Sequence, residues 1–78
     1  MSVTKIKDKL VKRNSKWYEI LMDFTDIPSD PEKYATWCRF RSKHPNMSLN
    51  RSAYNVLKTY YSTTALNRLL IDYEMYKA

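Results

Sequence analysis

IPSDPEKYATWCRFRSKHPNMSLNRSAYNVLKTYYSTT (residues 27–64) contains every proline of the chain and no glycine. Glycine is missing from all 78 residues. It is the usual residue for the positive φ of hairpin turns and helix C-caps, so the Asn-Gly and Asp-Gly hairpin signals are absent with it. No segment sustains the period-2 alternation of a half-buried strand, while apolar residues recur at helical spacing throughout. The chain reads as all-α.

The prolines divide the helices. Pro28 and Pro31 forbid a continuous helix, and Ser29-Asp30-Pro31-Glu32 is a start signal. Ser29 is the expected cap, with Glu32 returning the bond three residues later and Pro31 in the first turn, where its missing N–H costs little. The second helix is predicted over 30–43, with Tyr34, Trp37 and Cys38 inward and Phe40 at the flank. Arg41 projects on the same apolar side, where it either snorkels past the core or pairs with an acid of 19–32. Pro45 breaks that helix and Ser48 caps the third, predicted over 49–61. Leu49, Ala53, Val56, Leu57 and Tyr60 face inward; Arg51, Asn55, Lys58 and Thr59 face out, flanked by Tyr54 and Tyr61. Ser62-Thr63-Thr64 opens a fourth helix over 64–77, with Leu66, Leu69, Leu70, Tyr73 and Tyr76 as its stripe and Ile71 and Met75 opposite.

Toward the N-terminus, Val3, Ile6, Leu10, Trp17, Leu21 and Phe24 fall within one stripe at 100° per residue. Lys5, Lys9, Lys12 and Lys16 lie on the other side with Asp8, Glu19 and Asp23. One long helix from Val3 to Phe24 is expected, or two if it breaks at Asn14-Ser15. The whole is a single domain over 1–78: a small bundle of four helices, or five, with a loose helix-turn-helix-like pair at about 30–61. A chain of this size buries only ~60% of its unfolded surface, so its core is modest. The apolar content of 44% and the eleven aromatics nevertheless exclude a disordered chain.

Charge is segregated. Net charge is +6, residues 17–34 hold five of the eight acids, and no acid falls between Glu32 and Asp72. Within that interval, residues 35–60 carry Arg39, Arg41, Lys43, Arg51 and Lys58. Charge in blocks produces fields that govern association rather than fold. A basic two-helix surface suits a polyanion: Arg39, Lys43, Arg51 and Lys58 neutralise phosphates, Asn55 and Tyr54 make closer contacts, and Lys5, Lys9, Lys12 and Lys16 extend the footprint. Arg, Asn and Lys on the third helix also have the chemistry to contact groove edges, although the turn before it is long for a helix-turn-helix and lacks glycine. The expected function is that of a non-enzymatic nucleic-acid-binding regulatory or accessory protein, with DNA and RNA both open. The alternative is a stoichiometric protein-binding regulator or inhibitor. It would dock on a larger enzyme or complex through Asp23, Asp26 and Glu32 of the acidic 19–32 region or through Ile71 and Met75, and a homodimer is a further use of that last pair.

Other chemistry is poorly supplied. His44 and Cys38 are the sole residues of their types, so neither has an orienting partner of the usual kind. Cys38 reads as a small buried apolar residue, and His44 as a cap or an anion contact. The acids around the proline loop lack the spacing and central glycine of a calcium loop. No enzyme activity, cofactor or metal is expected. One cysteine, a charged N-terminus without an apolar leader, and no run of the ~20 apolar residues that a membrane span needs predict a reducing cytoplasmic setting. Membrane-surface binding by the first helix is disfavoured, because the core needs the same apolar stripe.

Overall fold

The computed structural model describes residues 16–77. Helix α1 spans Lys16–Asp23, α2 Pro31–Lys43, α3 Leu49–Tyr60 and α4 Thr63–Lys77, with no strand among the described residues. The expected all-α class and helix count are present. The earlier part of the long first helix and the Asn14-Ser15 break lie outside the described residues.

α3 is the central element. Among the described residues its backbone approaches each of the other three helices. The backbone of α2 comes close to α3 alone and meets α1 through side chains, with the Trp37 ring 5.8 Å from the Tyr18 ring; α4 rests on α1 and α3. Ala53, Val56 and Leu57, at i, i+3 and i+4, put α3's apolar stripe at the centre of the core. Around it close Ile20 and Leu21 of α1, Trp37 of α2, and Leu66 and Tyr73 of α4. Ile27 enters from the α1–α2 loop and is fully buried. Burial of each such aliphatic side chain contributes roughly 1.5–3 kcal/mol before entropy is subtracted. Phe24 then meets Tyr73 and Tyr76 edge-on, at centroid distances of 6.3 and 5.4 Å, and seals the end where α1 and α4 meet.

The cap of α2 is Asp30, not Ser29. Its carboxylate accepts from the backbone N–H groups of Glu32 and Lys33 at 3.0 and 3.2 Å, with Pro31 following as the first helical residue. Ser29 instead belongs to the preceding turn, where its hydroxyl donates to the Asp26 carbonyl. An aspartate adds charge to the cap and complements the helix dipole, which a serine cannot do. Ser48 caps α3 as expected, accepting from the Arg51 N–H, and Ser62 Oγ accepts from the Ala65 N–H at the start of α4. The N-terminal end of α1 is served from a distance: Asn50 Oδ1 of α3 accepts the Trp17 N–H at 2.5 Å.

Several residues expected inside are on the surface. Tyr34 and Cys38 are exposed, because α2 buries only one narrow line centred on Trp37 among the described residues. Leu49 is 42% exposed, in the first turn of α3 beyond the end of the core. Tyr60 lies at the rim, where its hydroxyl reaches Thr36 Oγ1 of α2 at 2.8 Å and Lys33 stands over its ring. Tyr76 is also exposed on one side, being the last aromatic of α4. Glu19 errs in the opposite direction. It belongs to the expected polar face of the first helix, yet the end of α4 covers it. Lys77 Nζ lies 3.0 Å from its Oε1, and Oε2 is buried with no hydrogen-bond partner among the described residues.

A polar clasp joins the loop, α2 and the end of α3. Lys33 Nζ donates to Asp26 Oδ2 at 2.8 Å, and the Tyr61 hydroxyl donates to Asp26 Oδ1 at 3.1 Å. The Lys33 hydrogen bond holds the Asp26 carboxyl below its ordinary value of 3.8, and the same bond raises Lys33 above 10.5. Burial, and then the Asp26 bond, raise Tyr61 above 10.0. A depressed carboxyl stabilises the fold above its ordinary pKa, and that contribution is lost as pH falls through the folded value. The raised groups contribute stability below their ordinary values of 10.0 for Tyr61 and 10.5 for Lys33, and that contribution is lost as pH rises through their higher folded values. Asp26→Asn therefore narrows the difference between urea midpoints measured at pH 7 and pH 3. Equal narrowing by Asp72→Asn would show that the effect is general charge, not this clasp.

Candidate nucleic-acid interface

Arg41, the cation on the apolar side of α2, organises the turn that follows it. Its Nη1 donates to the Met47 carbonyl at 2.5 Å and to Ser52 Oγ at 2.8 Å, and the guanidinium lies over the Trp37 ring at 5.9 Å. Ser52 is fully buried, and its hydroxyl donates in turn to the Ser48 carbonyl. One planar cation with several donors thus satisfies a turn carbonyl and a buried hydroxyl together, which the single ammonium of lysine does poorly. Arg41 neither snorkels outward nor pairs with an acid. It is spent inside the α2–α3 junction and takes no part in the exposed basic surface.

The connection it braces is residues 44–48. His44 ends α2, its N–H bonded to the Phe40 carbonyl and its ring 4.4 Å from the Phe40 ring. An open depression of about 600 Å³ surrounds this turn, with Lys43, His44, Ser48 and Arg51 in its wall. Lys43 and Arg51 therefore reach one concavity from the last residue of α2 and the first turn of α3.

A second group extends along α3. Arg51, Tyr54 and Lys58 are spaced i, i+3 and i+7 and share its outer side. Lys58 Nζ stands 5.4 Å from the Tyr54 ring centroid, Tyr54 is 4.9 Å from Trp17 of α1, and Lys16 Nζ stands 5.4 Å from the Trp17 ring. This series holds two ammonium groups against aromatic faces, which restricts them without neutralising them. Trp17 and Tyr54 pack on each other, so neither offers two free faces to an inserted base.

The remaining candidates are placed as follows. Arg39 is exposed on the outer side of α2, one turn before Lys43, with Nη2 on Thr36 Oγ1 at 3.3 Å. Asn55 is half-buried and turned back on its own helix, donating to the Arg51 carbonyl at 2.9 Å. Lys5, Lys9 and Lys12 lie outside the described residues. Among the described residues, the only ion pairs are Asp26–Lys33 and Glu19–Lys77. Lys16, Arg39, Lys43, Arg51 and Lys58 thus have no acidic partner there. Sequence reasoning missed the structural use of Arg41. The available signal was its apolar-side position with no acid one turn away.

Of the acids considered for partner docking, Asp23 and Glu32 are exposed, while Asp26 is held in the Lys33–Tyr61 clasp. Ile71 and Met75 are exposed on α4. Among the described residues no group of three or more His, Cys, Asp or Glu could hold a metal ion. No described helix is long and apolar enough to cross a membrane. Comparison with known proteins returns no match, whether to family models, curated proteins or solved structures.

Proposed function

We propose that this chain is a non-enzymatic nucleic-acid-binding protein of a regulatory or accessory kind, holding phosphates through α2, the 44–48 turn and α3. The observation that carries this reading is the set of unpaired cations: Lys43 and Arg51 about one depression, continued by Lys58 and Lys16, with no carboxylate paired to any of them among the described residues. Unpaired cations held close together attract a polyanion and release its counterions, whereas ion-paired ones do neither. The pair α2–α3 acts in this reading as a loose helix-turn-helix, with Ser48 and Arg51 at the leading end of α3. Contacts are mainly to phosphate, since Asn55, the side chain best suited to an adenine edge, is engaged with its own helix. DNA and RNA share this chemistry, and no reaction is assigned.

The test is fluorescence anisotropy with labelled duplex DNA, single-stranded DNA and RNA. With about four phosphate contacts, raising salt from about 50 to about 200 mM weakens duplex binding on the order of 100-fold. Lys43→Glu/Arg51→Glu weakens it at least about tenfold at low salt and flattens the salt dependence. Circular dichroism confirms that the variant folds, since both positions are exposed. If none of the three nucleic acids binds at about 50 mM salt, the reading fails and a protein partner becomes the better explanation of the surface.

A further inference from the structure

Among the described residues, the outer side of α4 is left uncovered. Ile71 is 55% and Met75 73% exposed, and beside them lies an open depression of about 470 Å³ bounded by Thr64, Asn67, Arg68 and Ile71. Those four residues stand at i, i+3, i+4 and i+7, the spacing of a hole that receives one side chain from a facing helix. Met75 is one turn further along the same side. Its unbranched, polarizable side chain suits an irregular recess.

We infer that this face pairs with the same face of a second copy of the chain, the two α4 helices running antiparallel. With the two-fold axis near Ile71, Met75 of each copy reaches the Thr64–Ile71 hole of the other. The same register sets Arg68 of one copy beside Asp72 of the other, twice. Both residues are exposed and form no ion pair among the described residues. One face thus carries projection and recess, cation and anion, which is the self-complementarity that a two-fold interface requires. A heterologous protein would have to supply both halves of that pattern itself. The inference does not depend on nucleic-acid binding. If both hold, two basic surfaces are presented together and their affinities for one polyanion multiply through linkage.

A single helix pair is a small interface, so association is expected within the range of about 1 μM to about 1 mM. Sedimentation equilibrium of the full chain over that range gives a reversible monomer–dimer curve. Met75→Glu weakens it at least about tenfold by placing a charge in the hole. Arg68→Asp and Asp72→Arg each set like charges opposite one another and weaken it by a similar factor. An equimolar mixture of these two variants regains association, because each then meets an opposite charge at both crossings. A parent chain that stays monomeric throughout overturns the inference, as it would if residues 1–15 or another protein were the occupant. So does association that the two charge variants leave unchanged, or that their mixture fails to restore. All three positions are exposed, and circular dichroism establishes that each variant is folded.

Discussion

Leu57→Ala lowers stability by about 2–5 kcal/mol, enough to unfold a large share of the molecules near body temperature. Leu57 is fully buried on α3, whose backbone lies close to all three other described helices. Its removal leaves a void bordered by side chains from several elements, and no single helix can shift to fill it without losing contact elsewhere. For a domain this small, a loss of about 3 kcal/mol lowers the thermal midpoint by roughly 12–24 °C. Leu49→Ala is the control. It makes the same chemical change on the same helix at a site 42% exposed, and its cost stays under about 1 kcal/mol. Urea denaturation of the two variants checks both numbers. Similar losses at 49 and 57 would refute the placement of the core.

Arg41→Ala has the second large effect, about 2–4 kcal/mol, and it has a functional consequence. The substitution removes two charge-assisted hydrogen bonds, strips the Trp37 ring of its cation, and leaves the Met47 carbonyl without its donor. The 44–48 turn then loses the group that fixes it, and with it the relative positions of Lys43 and Arg51. The nucleic-acid binding proposed above should therefore fall further than loss of one charge explains, although Arg41 takes no part in the proposed contact surface. Arg41→Lys separates the two effects. It preserves the charge but cannot serve both acceptors in the same plane, so it recovers little of the stability and little of the binding. Full recovery by lysine would reduce Arg41 to a general contribution to the basic field.

The helices themselves were legible because their signals are local. Missing glycine, three prolines and the caps Ser48 and Ser62 place the breaks near where they occur. Even the one incorrect cap is a shift of a single residue, from Ser29 to Asp30, within a segment rich in capping side chains. The basic interval was equally plain, since an absence of acids between Glu32 and Asp72 is visible in the chain. What periodicity supplied for each helix was a direction, not a depth. Tyr34, Leu49 and Tyr60 lie on or beside the stripes that point inward, yet each stands past the end or edge of the neighbour that would have covered it.

Composition and spacing alone therefore determined the all-helical class, the positions of the turns and the acid-free block of cations, because each follows from side-chain chemistry within a few residues. Tertiary structure decided which of the described cations are paired and which are not. Arg41 is taken by a turn carbonyl and a buried serine, Lys33 by Asp26 and Lys77 by Glu19, while Lys43, Arg51 and Lys58 have no acidic partner among the described residues. Those pairings join residues from 6 to 58 positions apart in the chain. Spacing within one helix cannot encode them, since they form only where chain folding brings two distant elements within hydrogen-bond reach.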